Sequence, residues 1–263
     1  MKKTLALVFM SFFFATAFCQ PGTWKGIGQP GSWANTIAGA TIGNSLFTVE
    51  VTGALYKTDL TTGTWTKIGK SDFANTALMY ATSSLLYTIE MDGSLYQVNP
   101  ETGTWKGLGK PGEWKGTIAG AVIGNNLYTT EVNGALYCTD LSTGIWKQIG
   151  KPEFGNTKFM FAGTNMLYTI EKDGSLYEIN PENGTWKAKG KPGEWKGTLA
   201  GAVIGDKLYT AETGGMFYET DLSTGIWKQL GKPDFANTYR LFPSGSNIYS
   251  IENDGSLYEI HTL

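Results

Sequence analysis

Residues 103–117 read G-T-W-K-G-L-G-K-P-G-E-W-K-G-T. The stretch joins a short strand signal, a glycine and proline break, a second aromatic and the threonine that opens a new strand. Near-copies surround Trp24, Trp65, Trp146, Trp186 and Trp227, so tryptophan recurs at intervals that alternate between 41 and 40 residues. A fixed period of about 40 residues, with several short strand signals in each unit, is the signature of a propeller blade. The expected fold class is therefore all-β: a six-bladed β-propeller with four-stranded antiparallel blades. Architecture of this kind hosts many activities, so function has to be argued from a site.

Within each unit, period-2 alternation is punctuated by turn chemistry. In the third repeat it predicts strand a over Thr117–Ile123, b over Leu127–Val132, c over Ala135–Asp140 and d over Gly144–Ile149. The b–c turns carry Asn133-Gly134, Asp92-Gly93, Asp173-Gly174 and Asp254-Gly255, pairs that favour tight hairpins matched to strand twist. The sixth repeat stops after its third strand, at 258–263, while the missing fourth strand stands near the other end of the chain, at 21–28. Pairing the two would close the ring and remove a sheet edge. The six recurring tryptophans are expected to pack between blades as core. Inner strands alternate as well: residues 37–40 are small (I-A-G-A), whereas 77–80 are bulky (A-L-M-Y), and the contrast repeats every 81 residues. Packing around a narrow axis accounts for that alternation.

The first residues read differently. Lys2 and Lys3 precede an apolar run from Leu5 to Phe14 and then small residues, the pattern of a secretory signal peptide over 1–19, with cleavage after Cys19 or Ala17. The propeller would occupy 20–263, and the protein would be secreted or periplasmic. No other apolar run is long enough to span a membrane. Without Lys2 and Lys3, 19 basic residues face 23 acidic ones, a net charge of −4. With no basic cluster, nucleic acid is not an expected partner. Cys138 is then the lone cysteine; its counterparts are Lys57, Gln97, Glu178, Glu219 and Glu259, so it is expected to face solvent. The single histidine, His261, lies at the end of the chain, which argues against His-based triads and His-rich metal sites. No cofactor is expected.

Chain direction brings four recurring groups to one face, that of the d–a linkers. One is a linker aromatic: Trp33, Trp114 and Trp195 in odd repeats, Phe73, Phe154 and Phe235 in even ones. Asn or Gly follows, as at Asn35. A threonine then opens strand a, as at Thr36, Thr117 and Thr198, and a glutamate closes strand b, as at Glu50, Glu131 and Glu212. A ring face beside a carboxylate, an amide and a hydroxyl is the chemistry of sugar recognition. The competing reading is structural: the glutamates satisfy linker polar groups and the aromatics wedge between blades. Enzymatic glycoside cleavage needs two carboxylates at a defined separation, and a glutamate repeated in every blade does not single out one such pair.

The order I-G-K-P-x-F/W, then a strand, then L-Y-T-I-E-x-D-G-S-L-Y resembles the repeat of the tachylectin-2 family of β-propeller lectins. The best local match is 150–177, with Phe154 at the linker aromatic and F-M-F at 159–161 on the inner strand. The resemblance implies N-acetylhexosamine sites between neighbouring blades. That family has five longer blades, against six shorter ones here. The functional expectation is a secreted glycan-binding protein with repeated sites, the Trp33, Trp114 and Trp195 set favoured over the Phe set. The alternatives are a secreted protein-interaction scaffold and, ranking lower, a polysaccharide-acting enzyme. A monomer is compatible with the sequence.

Overall fold

The computed structural model describes residues 20–263; the leader expected over 1–19 lies outside them. Six four-stranded antiparallel sheets form the blades, and no helix occurs among the described residues. In blade 3 the strands are a (Thr117–Ile123), b (Asn126–Glu131), c (Leu136–Asp140) and d (Trp146–Ile149). Each differs from its expectation by no more than two residues at either end. The Asn133-Gly134 pair makes the b–c turn with Gly134 at φ 89°, a conformation only glycine enters without strain.

Blade 6 combines both parts of the chain. Its strands a (Thr238–Ser244), b (Asn247–Glu252) and c (Leu257–His261) are completed by Trp24–Ile27, with Trp24 opposite Ile260 and Ile27 opposite Leu257. Gly22 N–H donating to His261 O at 2.7 Å and His261 N–H to Thr23 O at 2.9 Å extend the ladder. The ring therefore closes inside a blade.

Six apolar clusters fill the six seams between blades, and each holds one linker aromatic or its immediate surroundings. Trp33, Trp114 and Trp195 occupy the seams that lead into odd blades; Phe73, Phe154 and Phe235 occupy the others. The inner strands run closer together across the Phe seams than across the Trp seams, so the larger ring fills the wider gap. The glycine that opens each odd linker has a second duty. Gly28, Gly109 and Gly190 adopt φ of 60–64°, and a Cβ there would stand 2.5–2.7 Å from the buried indole. Each linker is also stapled to the preceding blade, because the aromatic's N–H donates to the glycine carbonyl of that blade's b–c turn: Trp114 to Gly93, Phe154 to Gly134, and Trp33 to Gly255 across the ring.

The alternation of small and bulky inner strands is a packing device. Tyr80, Phe161 and Phe242 of the even blades project over Gly120, Gly201 and Gly39 of the odd blades that follow. Only a residue without Cβ leaves room for them.

Two expectations are corrected. The recurring tryptophans are not core: Trp24, Trp65, Trp105, Trp146, Trp186 and Trp227 are 41–46% exposed. Blades splay apart toward the rim, and strand d has no further strand outside it. Cys138 is buried, not solvent-facing. It points into the seam between blades 3 and 4 with Tyr128, Phe154 and Met160; its counterparts Glu178 and Glu259 are buried as well, and Lys57, Gln97 and Glu219 half-buried. Burial and the thiol beside it push the Tyr128 hydroxyl up to about 12.

Candidate functional site

Strands a and b pair so that each opening threonine faces the glutamate ending strand b. Thr117 Oγ1 donates to Glu131 Oε1 at 2.7 Å and Thr198 Oγ1 to Glu212 Oε1 at 2.6 Å. Blades 2, 4 and 6 repeat the bond through Glu90, Glu171 and Glu252. Glu50 stands apart: it is only half-buried, and the Thr36 hydroxyl has no partner. Burial holds all six carboxyls above the ordinary glutamate value; threonine or serine hydroxyls oppose the shift at every one except Glu50. In blades 3 and 5 the glutamate also packs close to the linker backbone: a Cβ on Gly116 would stand 2.4 Å from Glu131 Oε2, and one on Gly197 3.0 Å from Glu212 Oε2.

The structure thus brings the threonines and glutamates together but turns the linker rings inward. Trp33, Trp114 and Trp195 are each 3% exposed, and Phe73, Phe154 and Phe235 no more than that. Trp33 and Trp114 also donate their Nε1–H to Thr58 and Thr139 at 3.3 Å. Such rings offer no open face for stacking. Asn35 is exposed, and its carbonyl accepts from Val51 N–H.

An aromatic surface exists elsewhere, at the rim. Every exposed tryptophan of strand d lies against the tyrosine of strand c in its own blade, with ring centroids 4.5–5.0 Å apart and tilted or edge-on geometry. In blade 3, Trp146 and Tyr137 share a groove of about 170 Å³ with Glu113, Glu131 and Asn133, and the edge of Trp114 forms its floor. Trp227 and Tyr218 form the counterpart in blade 5 with Glu194 and Glu212. In blade 6 the groove reaches about 420 Å³, between Trp24, Tyr258, Asp234 and Asn237.

Two linker types give two kinds of rim tryptophan. In even blades the linker carboxylate accepts the indole N–H: Asp72 from Trp105 at 3.2 Å, Glu153 from Trp186 at 3.0 Å, Asp234 from Trp24 at 3.3 Å. In blades 3 and 5 the carboxylate turns back instead, Glu113 accepting from Lys110 N–H and Glu194 from Lys191 N–H, both at 2.7 Å. Trp146 and Trp227 keep their N–H groups for solvent or a ligand. Sequence reasoning missed the rim pairs by assigning both aromatics to the core. The available signal was the polar pattern of strand d, where Trp-Lys-Gln-Ile has one buried position in four.

Residues 91–229 match the sequence profile of the family described as Outer membrane protein assembly factor BamB. The chain belongs to that family. No curated protein matches its sequence significantly. Among solved structures it resembles BamB from Moraxella catarrhalis (TM-score 0.51, 15% identity, covering 85% of this chain and 68% of that one). It also resembles a structural genomics protein of unknown function from Bacteroides thetaiotaomicron (0.67, 12%, 92% and 76%) and YCF48 bound to D1 peptide (0.62, 16%, 87% and 78%). At these identities the likeness establishes the fold shared with BamB. These likenesses do not confirm a tachylectin-like identity.

Proposed function

We propose that the protein is an exported, non-catalytic interaction scaffold whose rim accepts extended segments of partner proteins. One observation carries the reading: six edge strands, one per blade, each present an exposed tryptophan backed by a tyrosine. A free strand edge offers unpaired backbone groups to an incoming strand. An aromatic anchor beside it supplies the contact residue most often found at binding hot spots. Five of the six linker-face glutamates are engaged by threonines, so the repeated chemistry at that face already has a structural role. Membership of the BamB family, and the peptide named with one structural neighbour, support docking as the role and the periplasm or cell surface as the place.

The test is site-specific photocrosslinking in the native host. A benzophenone side chain in place of Lys106 or Lys147, on strand d, should give discrete protein adducts, and Trp146→Ala should remove the adduct formed at position 147. Crosslinks absent at strand d, or undiminished by loss of the tryptophan, would overturn the reading.

A second reading rests on the blade 3 groove, where an indole, Asn133 and Glu131 converge: the rim pairs bind glycans, with Trp146 and Trp227 as stacking faces. Glycan-array binding that is lost in Trp146→Ala and Trp227→Ala would favour it over protein docking.

A further inference from the structure

The repeats stop resembling one another at the axis. Odd inner strands keep one pattern, T-I-A-G-A or T-L-A-G-A, while the even ones read TALMYA, TKFMFA and TYRLFPS. Packing accounts for the odd–even alternation but not for the differences among the three even strands; a single ligand on a symmetry axis does, because it can meet each blade differently.

The six inner strands enclose a cavity of about 480 Å³ on the axis, within the usual span of about 300–1,000 Å³ for small-molecule sites. Its wall is mainly apolar and includes Met79, Met160, Phe159 and Phe161. Every inner strand carries a β-bulge after its opening threonine, and Lys158 and Tyr239 are the residues at that bulge in blades 4 and 6. Bulges re-aim side chains.

The polar groups of the wall are one-sided. Lys158 Nζ donates to Thr198 O at 2.5 Å, and Arg240 donates to Ile37 O and to Tyr239 Oη. Neither forms an ion pair among the described residues, and no carboxylate lines the cavity. Glu212, whose carboxyl feels the Lys158 charge, lies outside the wall and is held by Thr198. Arg240 Nε and the Tyr80 hydroxyl are buried without a partner. Burial and the charge of Glu131 push that hydroxyl above the ordinary tyrosine value, so it stays a protonated donor. Arg240 is half-buried and Lys158 exposed; with only neutral carbonyl and hydroxyl acceptors and the Phe159 and Tyr239 rings beside them, the two cations leave a favourable place for an anion.

We infer that the axial cavity binds one small organic carboxylate bearing an aromatic or branched apolar group. Lys158 and Arg240 hold the carboxylate at the mouth, and the methionine and phenylalanine wall takes the apolar part. The site is separate from the rim grooves and does not depend on what docks there.

Calorimetric titration of the chain with 3-phenylpropionate, 3-phenylpropionamide and acetate tests it. The aromatic acid should bind at one site per chain, and the amide and acetate each at least about tenfold more weakly, a factor worth about 1.4 kcal/mol. The Lys158→Met, Arg240→Gln double variant should lose the preference for acid over amide, while the exposed control Lys196→Gln keeps it. Circular dichroism checks that the variants fold, and the three-ligand comparison on the unaltered chain needs no variant. Equal affinity for acid and amide, a stoichiometry of three or six, or no binding of the acid at millimolar concentration would overturn the inference.

Discussion

The ring of Phe161 in blade 4 ends where a Cβ on Gly201 of blade 5 would have to stand, 2.6 Å from its Cζ. Gly201 has no left-handed backbone to protect, so the contact alone excludes a side chain. Gly201→Ala should therefore cost about 1–3 kcal/mol by overpacking. Phe161→Ala should cost about 3–5 kcal/mol through the cavity it leaves. Together they should cost less than the sum, because removing the ring removes the clash. A four-member urea-denaturation cycle measures the coupling, and strict additivity would mean that the two residues do not oppose one another.

Buried and exposed tryptophans should separate sharply. Trp114→Ala empties the seam between blades 2 and 3 and should cost about 3–5 kcal/mol. Trp146→Ala gives up an edge-on ring contact with Tyr137 at 5.0 Å, and contacts of that kind are worth about 0.5–1.5 kcal/mol. Chemical denaturation of the two variants checks the order; equal losses would contradict the assignment of one ring to the core and the other to the rim.

The repeated glutamates predict an inverted acid response. Burial raises the carboxyls of Glu90, Glu131, Glu171, Glu212 and Glu252 above 4.5. Between that value and the raised one, the folded chain holds more protons than the unfolded chain, so stability falls as pH rises through the window. Asp59, Asp140 and Asp221 are lowered and act oppositely below 3.8, and Glu178, held by Lys187 and Lys189, does so below 4.5. The melting temperature should therefore be highest in mild acid and decline toward neutrality. Glu171→Gln keeps an acceptor for Thr157 and loses the charge, so its advantage over the unaltered chain should be larger at neutral pH than near 4.5. Melting curves across pH decide it, and a stability that only climbs toward neutrality would refute it.

Removing residues 20–28 deletes the strand that completes blade 6. The loss exposes strand c of that blade as a new edge and uncovers Leu257 and Ile260. A cost on the order of several kcal/mol is expected, each worth about 2–4 °C in Tm for a chain of this size, with association through the bare edge. Calorimetry and size-exclusion chromatography would show both effects; an unchanged, monomeric melting profile would not fit the closed ring.

Much of this was legible because repetition turns weak local signals into strong ones. One hairpin read from Asn133-Gly134 is a modest inference, but six in register define blades, and the displaced strand at 21–28 defined closure. Side-chain direction on strand d was not legible. Trp146 and Ile149 sit three residues apart on one short strand, yet only the isoleucine lies where the neighbouring blade reaches it. Burial there depends on radial distance from the axis, which no sequence period encodes. The linker aromatics failed in the opposite sense: Trp114 occupies a loop, where exposure is the usual expectation, but its loop runs over a seam wide enough to admit an indole. Cys138 illustrates the same geometry: its polar counterparts Glu178 and Glu259 suggested a solvent-facing position, yet all three are buried in the seams.

The antiparallel closure of blade 6 also fixes an outward direction. Trp24 lies opposite Ile260, so Gln20 and Leu263 both stand at the c–d turn end of blade 6, where Gly22 abuts Gly231 at the start of the linker from blade 5. Anything fused to either terminus therefore starts from the same corner of the ring, at the outer edge of blade 6 and clear of the axial cavity.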